Sequence, residues 1–347
     1  MGGNKLYSFY VGCYIPDPKD RGIHLLIFDS SSGALHVEGS YYGGENPSFL
    51  LRTGNFLYAA NETGSSGKVS ALSIGAGNAL TFLNSREVSG AGTCHIAKMS
   101  SFLYAANYNS GSIFGVEILK DGSLGGIVTE IKHTGSGPNP KRQEAPHAHS
   151  VNPVPDTDIL IAADLGTDRL FCYKQQANGS LTPDSTNYST AAPSGGGPRH
   201  MAFHSENKRV YVVMEMGVSL ACYKLTRPFL ELEARYPLVE GSFTRDDTAA
   251  DIHLTADGKR LYATVRGKNL LSVFNILDYG KLQFAGSYPT YGDSPRNFCL
   301  APGEEFAVIA HDASGHVTVC PIDPQTGKAG NMLSSVILPG ASCVINA

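Results

Sequence analysis

Three arginines stand beside apolar segments of this sequence, where a charged side chain needs an explanation. Arg199, Arg266 and Arg296 each adjoin a run of aliphatic or aromatic residues. A guanidinium close to a core must be paired with an anion or with a ligand. The acidic residues available for structural ion pairs are Glu215, Glu62 and Asp312. The alternative is a concave site that uses the three charges to bind a small anionic substrate.

A segment without any apolar period, residues 135–149 (GSGPNPKRQEAPHAH), carries further candidates. Its prolines and glycines predict a long loop, and long loops in compact domains are often functional. Arg142, His147 and His149 are its candidate site residues. The pair His147-x-His149 could bind a metal ion, but no third ligand stands at a suitable spacing, so we predict no metal site.

Seven copies of one strand pattern recur and indicate the fold. They are SFYVGCY (8–14), FLYAANE (56–62), FLYAANY (102–108), ILIAADL (159–165), RVYVVME (209–215), RLYATVR (260–266) and EFAVIAH (305–311). Each interval contains four strand-like segments, turn signals between them and no helical period. This repeated order of strands and turns predicts an all-β protein, a seven-bladed β-propeller with four-stranded antiparallel blades. The propeller is expected to form one domain over residues 1–347.

The two ends of the chain are predicted to meet. SFYVGCY is already a second strand, so the first blade lacks its inner strand. The C-terminal GASCVIN (340–346) resembles the inner strands NPSFLLR (46–52) and GTCHIAK (92–98). Pairing GASCVIN with SFYVGCY would close the ring and remove the exposed strand edges.

Propeller geometry places the chemistry at one mouth of the central channel, where inner strands begin and second strands end. The loop at 135–149 is expected to cross this face with Lys141, Arg142 and Glu144 near the mouth. The predicted catalytic residues are His149, Arg199, Glu215 and Arg266, and the predicted substrate-binding residues are His147, Arg296, Asn61, Asn107, Asp164 and Arg142. His95, His149, His200 and His253 are predicted to occupy the same place in four repeats. This recurrence favours a structural role for His95, His200 and His253, whereas His149 differs because it belongs to the His-x-His pair of the long loop.

Composition excludes several classes of partner. Charged residues make up 17% of the chain, the formal net charge is −4, and Lys and Arg do not cluster. Nucleic acid and anionic membranes are therefore not expected as partners. Seven scattered cysteines without a CxxC pair indicate reduced thiols, and a cytoplasmic protein is expected.

Several longer segments carry a resemblance to a known family. GSGPNPKRQEAPHAHSV, GGGPRHMAFHSENKRVYVVMEM, ADIHLTADGKRLYATVRG and SPRNFCLAPGEEFAVIA resemble the lactonase family with a seven-bladed propeller. That family includes bacterial propeller-type 6-phosphogluconolactonases and fungal carboxy-cis,cis-muconate cyclases, and the resemblance covers essentially the whole chain. It implies an enzyme without a cofactor, whose catalytic His, Arg, Glu and Arg fall on His149, Arg199, Glu215 and Arg266.

The expected chemistry is hydrolysis of a small anionic sugar lactone, with 6-phosphogluconolactone as the favoured substrate. A lactone carbonyl needs a water nucleophile, a base and positive groups for the oxyanion. Glu215 or His149 could be the base, and Arg199 and Arg266 could hold the oxyanion and the substrate's anionic group. The same residues would also serve a lactone-forming cycloisomerase of the muconate type. A non-catalytic propeller that acts as an interaction scaffold is the second alternative.

Overall fold

A computed structural model describes residues 5–15, 17, 19–184, 189–226 and 229–347, which form seven antiparallel sheets. In chain order the strands of the first four blades are β1 (Leu6–Cys13), β2 (Ile23–Asp29), β3 (Ala34–Tyr41), β4 (Pro47–Thr53), β5 (Phe56–Asn61), β6 (Gly67–Ile74), β7 (Leu80–Val88), β8 (Thr93–Met99), β9 (Phe102–Asn107), β10 (Ser112–Ile118), β11 (Leu124–Lys132), β12 (Ala148–Pro153), β13 (Ile159–Asp164), β14 (Arg169–Gln175), β15 (Leu181–Pro183) and β16 (Ser189–Ala191). The remaining strands are β17 (Pro198–His204), β18 (Arg209–Met214), β19 (Ser219–Thr226), β20 (Phe229–Pro237), β21 (Thr248–Leu254), β22 (Arg260–Arg266), β23 (Leu270–Ile276), β24 (Leu282–Pro289), β25 (Pro295–Leu300), β26 (Phe306–His311), β27 (His316–Pro321), β28 (Ser334–Ile337) and β29 (Ala341–Asn346). Two short 3-10 turns, Ala76–Asn78 and Asp278–Gly280, join outer strands.

The sheets confirm the predicted seven-bladed propeller. Six of them have four strands in the order inner to outer, such as β4-β5-β6-β7 and β29-β1-β2-β3. The inner strands of successive blades pack against one another around the ring. Blade four differs, because the short strands β15 and β16 both pair with β14 at the outer position. β15 ends at Pro183, which has no N–H to continue a ladder. Within the described ranges, no helix has the length and hydropathy that crossing a membrane requires.

The predicted closure of the ring is confirmed by the pairing of β29 with β1. The ladder runs antiparallel from Phe9 opposite Asn346 to Cys13 opposite Ala341. The Ser342 hydroxyl lies 3.0 Å from the Gly12 carbonyl, and it also contacts the next blade at the Ser48 carbonyl. The C-terminal strand therefore joins blade one to its neighbour as well as completing its own sheet.

A tyrosine in the recurrent strand pattern ties most blades to the next. Its ring is fully buried and its hydroxyl donates to a backbone carbonyl in a turn of the following blade, at 2.7–3.0 Å. The five tyrosines are Tyr10, Tyr58, Tyr104, Tyr211 and Tyr262. The turn of Tyr211 needs glycine, because Gly280 has a φ of +75° and a Cβ there would lie 2.7 Å from Arg209 Cγ. Blades four and seven carry Ile161 and Val308 instead.

Removing one of these hydroxyls should destabilise the ring measurably. Tyr211→Phe keeps the buried ring but leaves the Gly280 carbonyl without its 2.7 Å donor. An unsatisfied buried acceptor costs about 1–3 kcal/mol. Urea unfolding should show this loss, whereas Tyr279→Phe, an exposed tyrosine in the same turn, should change little. Equal unfolding midpoints for the two variants would contradict the proposed tie.

Candidate active site

Every inner strand carries a β-bulge near its first residue, and these bulges arrange the polar side chains at the channel mouth. The residues at the bulges are Ser342, Ser48, Cys94, His149, Arg199 with His200, Ala250 with Asp251, and Arg296. A bulge adds one residue to a strand and redirects its side chains. The neighbours Arg199 and His200 therefore contact each other and groups of blade six, although alternation along a regular strand would separate them.

The carboxylate of Glu215 is the centre of the site. Its Oε2 lies 3.1 Å from Arg199 Nε and 3.1 Å from Arg266 Nη2, and 3.7 Å from His149 Nε2. Its Oε1 accepts a 2.6 Å hydrogen bond from Arg142 Nη2. The structure thus brings three of the predicted catalytic residues and the loop arginine together around the almost fully buried carboxylate of the fourth.

The charges of these groups set their protonation states. Burial by itself raises the pKa of Glu215, but Arg266, His149, Arg199 and Arg142 outweigh it and hold this pKa well below the usual range. Burial and the Arg199 charge lower the pKa of His149 well below the ordinary imidazole value. Near neutral pH the site therefore contains an ionised carboxylate, a neutral imidazole and three guanidinium groups.

Arg199 is held on one side by the next blade and on the other by its own blade. Its Nη1 donates to the Ala250 carbonyl of blade six, while its Nε faces Glu215 at the end of β18. Burial and the nearby Arg266 lower the pKa of Arg199 to about 10, so it remains protonated at neutral pH. These two contacts hold the positive charge of the guanidinium in a fixed position inside the mouth.

The loop at 135–149 crosses the mouth as predicted and is fixed by its own hydrogen bonds. The fully buried Gln143 donates to the Leu165 carbonyl and accepts from the Asn139 N–H. Arg142 reaches both Glu215 and the Tyr108 hydroxyl, at 2.6 and 3.1 Å. The expected position of this loop is therefore confirmed for Arg142.

His147 has a different environment from the one predicted. Its ring stacks on Tyr108, and its nitrogens contact the Tyr108 carbonyl and Glu144. His147 is thus occupied in holding the loop against blade three, while His149 faces Glu215. Among the described residues, no three acidic, His or Cys side chains are grouped as a metal site.

A second group of charged residues surrounds Arg296. Its guanidinium lies 3.7 Å from Glu62, 3.6 Å from Asp312, and 5.5 Å from the centre of the Tyr14 ring. Glu62 Oε2 accepts hydrogen bonds from the Tyr14 hydroxyl and Ser48 Oγ. Tyr14 was not predicted as part of the site, although it occupies the same repeat position as Glu215.

Asp251 is another residue that the sequence analysis missed. This buried carboxylate contacts His200 Nδ1 at 2.8 Å and His253 Nε2 at 3.0 Å, and it accepts from Asn297 Nδ2. Arg199 Nη1 lies 3.3 Å from both nitrogens of the His200 ring, which places the guanidinium over the ring face. Asp251 therefore holds His200, which in turn contacts Arg199. The feature of the sequence that could have identified Asp251 is a charged residue inside the apolar strand TAADIHL.

The four channel histidines do not occupy equivalent positions, contrary to the expectation from the repeat. His149 takes the first bulge position of its strand, beside Glu215, where blades three and five have Cys94 and Arg199. His95 and His200 are therefore one residue further along their strands. His253 lies deeper, two residues beyond Asp251. His95, His200 and His253 line a channel cavity of about 500 Å³ that extends away from the Glu215 centre.

Three predicted substrate-binding residues are not at the mouth. Asn61, Asn107 and Asp164 end their second strands fully buried and hydrogen bonded within the fold. Asn61 donates to the Gly43 and Glu45 carbonyls, and Asp164 accepts from the backbone N–H of residues 147 and 167. Asn107 contacts Thr93 and Ser112. The channel is lined by the following residue of each strand, because successive side chains point to opposite faces.

Comparisons with known proteins agree with this architecture. The sequence model of the family "Lactonase, 7-bladed beta-propeller" matches residues 8–346. A protein of Bacillus subtilis named 6-phosphogluconolactonase is 33% identical over 97% of each chain. One of the same name from Formosa agariphila is 31% identical over 96% of this chain and 97% of its own. The solved structure of a periplasmic gluconolactonase from Pseudomonas aeruginosa superposes with a TM-score of 0.92 at 27% identity, over 98% of this chain and 99% of that one. The chain therefore belongs to the lactonase family of seven-bladed β-propellers.

Proposed function

We propose that this protein hydrolyses 6-phosphogluconolactone to 6-phosphogluconate. The observation that carries the proposal is the buried carboxylate of Glu215, which joins Arg142, Arg199 and Arg266 beside the neutral His149. Positive groups fixed in a partly dry pocket are what a developing oxyanion requires. The names of the two curated relatives support the phosphorylated sugar lactone as substrate.

The proposed reaction begins when water attacks the lactone carbonyl. His149 accepts a proton from the water as the new C–O bond forms, and Arg199 and Arg266 stabilise the oxyanion. The tetrahedral intermediate then collapses, the bond between the carbonyl carbon and the ring oxygen breaks, and His149 returns the proton to that oxygen. The product acid loses its proton to solvent.

His149 rather than Glu215 is proposed as the base. Both oxygens of Glu215 already contact arginines, Oε2 with Arg199 and Arg266 and Oε1 with Arg142, so this carboxylate is poorly placed to accept a proton from water. Glu215 instead stands 3.7 Å from His149 Nε2, where its charge stabilises the imidazolium that forms. The second ring nitrogen, Nδ1, lies 3.8 Å from Cys94 Sγ at the mouth.

The proposed compartment is the cytoplasm. Support comes from the cysteines, since each of the seven is a free, buried thiol. The structural neighbour from Pseudomonas aeruginosa is a periplasmic gluconolactonase, so fractionation of cells is the direct test. Recovery of the protein with a periplasmic marker would contradict this assignment.

The decisive experiment is a rate assay with freshly generated 6-phosphogluconolactone, measured against its spontaneous hydrolysis. The purified protein should accelerate loss of the lactone, and Glu215→Gln should abolish most of the acceleration while keeping the fold. A folded protein that leaves the spontaneous rate unchanged would refute the proposed function and favour the scaffold alternative.

The pH dependence of turnover should reflect a depressed histidine pKa. Because burial and Arg199 lower the pKa of His149, its unprotonated form persists below the ordinary imidazole value of about 6.5. Between pH 7.5 and 6, kcat should therefore stay nearly constant and fall only in more acidic solution. An unphosphorylated lactone is the better substrate for this test, because the phosphate of a phosphorylated one itself changes charge at about pH 6. A twofold loss of kcat between pH 7 and 6 would contradict this expectation.

A further inference from the structure

The mouth of the channel is divided into two halves of opposite charge. The cationic half contains Arg142, Arg199 and Arg266 around Glu215, so three positive charges face one negative charge. The acidic half consists of Arg296, Glu62, Asp312, Tyr14 and Ser48, where two carboxylates flank one guanidinium. The formal balance is thus +2 in one half and −1 in the other. A substrate with one anionic end would be oriented by this difference.

The acidic half has hydrogen-bonding capacity that the protein does not use. The contacts of Arg296 with Glu62 and Asp312 are 3.7 and 3.6 Å long, beyond normal hydrogen-bond length. Asp312 Oδ1 is buried and has no hydrogen-bond partner among the described residues. Unfilled acceptors beside a guanidinium donor suit hydroxyl groups, which both donate and accept. A phosphate dianion would instead be repelled by the two carboxylates.

Arg142 is the arginine of the cationic half that faces incoming ligand. Its side chain is 40% exposed, against 3% for Arg199 and 15% for Arg266. Both of its hydrogen bonds, to Glu215 and to the Tyr108 hydroxyl, use Nη2. Its Nε and Nη1 are thus left as donors for an anion. The loop that carries Arg142 is anchored by the buried Gln143, so the charge is held in position.

We propose that Arg142 is a specificity-determining residue that selects lactones carrying an anionic group, and that Arg296, Glu62 and Asp312 bind the sugar hydroxyls. The lactone ring then lies between the two halves, with its carbonyl at Arg199 and Arg266. This inference rests on the proposed lactonase function and adds the orientation of the substrate within that site.

The test compares kcat/KM for 6-phosphogluconolactone with kcat/KM for glucono-δ-lactone, which lacks the phosphate. Arg142→Gln should lower the ratio of these two constants by about 10- to 100-fold, the loss expected for a hydrogen bond to a charged group. Arg296→Gln should lower both constants and leave their ratio within about threefold of the wild-type value. Lys141→Gln removes the same unit charge from the adjacent exposed residue and is the matched control for net charge.

Calorimetry on the products provides a readout independent of turnover. Arg142→Gln should weaken binding of 6-phosphogluconate more than binding of gluconate. The inference is overturned if Arg142→Gln leaves both ratios unchanged, or if Arg296→Gln lowers the kinetic ratio as far as Arg142→Gln does. If the wild-type protein still hydrolyses the lactones, either of these results refutes only the inference about Arg142 and Arg296, and the proposed function stands. A wild-type protein that hydrolyses neither lactone would remove the proposed function and this inference together.

Discussion

Arg199→Ala is expected to lower kcat/KM by about 10²- to 10⁴-fold, which corresponds to roughly 3 to 5 kcal/mol of transition-state stabilisation. Arg199 is almost fully buried, and its guanidinium bridges the Ala250 carbonyl and the Glu215 carboxylate. In such surroundings water cannot replace the lost charge when the oxyanion forms. Most of the loss should appear in kcat, because the interaction strengthens as negative charge develops on the carbonyl oxygen.

Arg199→Lys should restore little of this activity. A lysine ammonium is a point charge on a flexible stem, and it cannot make both the hydrogen bond to the Ala250 carbonyl and the ion pair with Glu215. Glu215 would keep its ion pairs with Arg142 and Arg266, so the variants should still fold. Circular dichroism and thermal melting would confirm this for each variant before rates are compared.

The control for Arg199→Ala is a partly buried arginine that likewise donates to a backbone carbonyl. Arg86 lies on the outermost strand of blade two and donates from Nε to the Gly125 carbonyl at 2.7 Å. Arg86→Ala should lower stability slightly and leave the rate per folded molecule unchanged. Full activity of folded Arg199→Ala would show that the oxyanion is stabilised elsewhere.

The fold could be predicted from the sequence because its determinants are local and repeated. Each blade contains the same strand pattern, so recognising it in one copy supports the assignment of the other copies as second strands. The unpaired first copy, SFYVGCY, also indicated that the C-terminal strand must complete blade one. A repeated local pattern of this kind predicts the fold even when no contact between distant residues is known.

The site was predicted only in part, for reasons of strand geometry. Arg199, Arg266 and Arg296 were found because a charge beside an apolar run requires a partner, and Glu215 was found because it stands at the end of a second strand. Asn61 and Asp164 were placed at the mouth although they stand one residue before it, and a shift of one residue reverses the face of a strand. The bulges of the inner strands add a second shift, which hid the difference between His149 and His200.

The support of Arg199 by Asp251 could not be derived from sequence spacing. The two residues belong to neighbouring blades and are 52 positions apart, and their connection passes through His200. A buried carboxylate with two histidine partners is visible only once the inner strands are packed. His200, for which a structural role was expected, therefore also contacts Arg199, the arginine proposed to stabilise the oxyanion.

Removal of residues 340–347 is expected to abolish the cooperative thermal transition of the protein. The deletion takes away all of β29, whose first four residues are buried, and leaves the inner edge of β1 without its ladder. It also removes the contacts of β29 with β4 and β25. The loss should approach the whole free energy of unfolding, which is about 5–15 kcal/mol for natural proteins.

A shorter deletion separates this effect from a general sensitivity of the C-terminus. Removing Ala347 alone eliminates one backbone hydrogen bond, from its N–H to the Ser8 carbonyl, and preserves every residue of β29. That protein should melt within a few degrees of the full-length chain, because one partly exposed hydrogen bond contributes only about 0.5–1.5 kcal/mol. If the protein lacking residues 340–347 melts like the full-length chain, then β29 does not hold the ring closed, and the packing between the inner strands must be sufficient on its own.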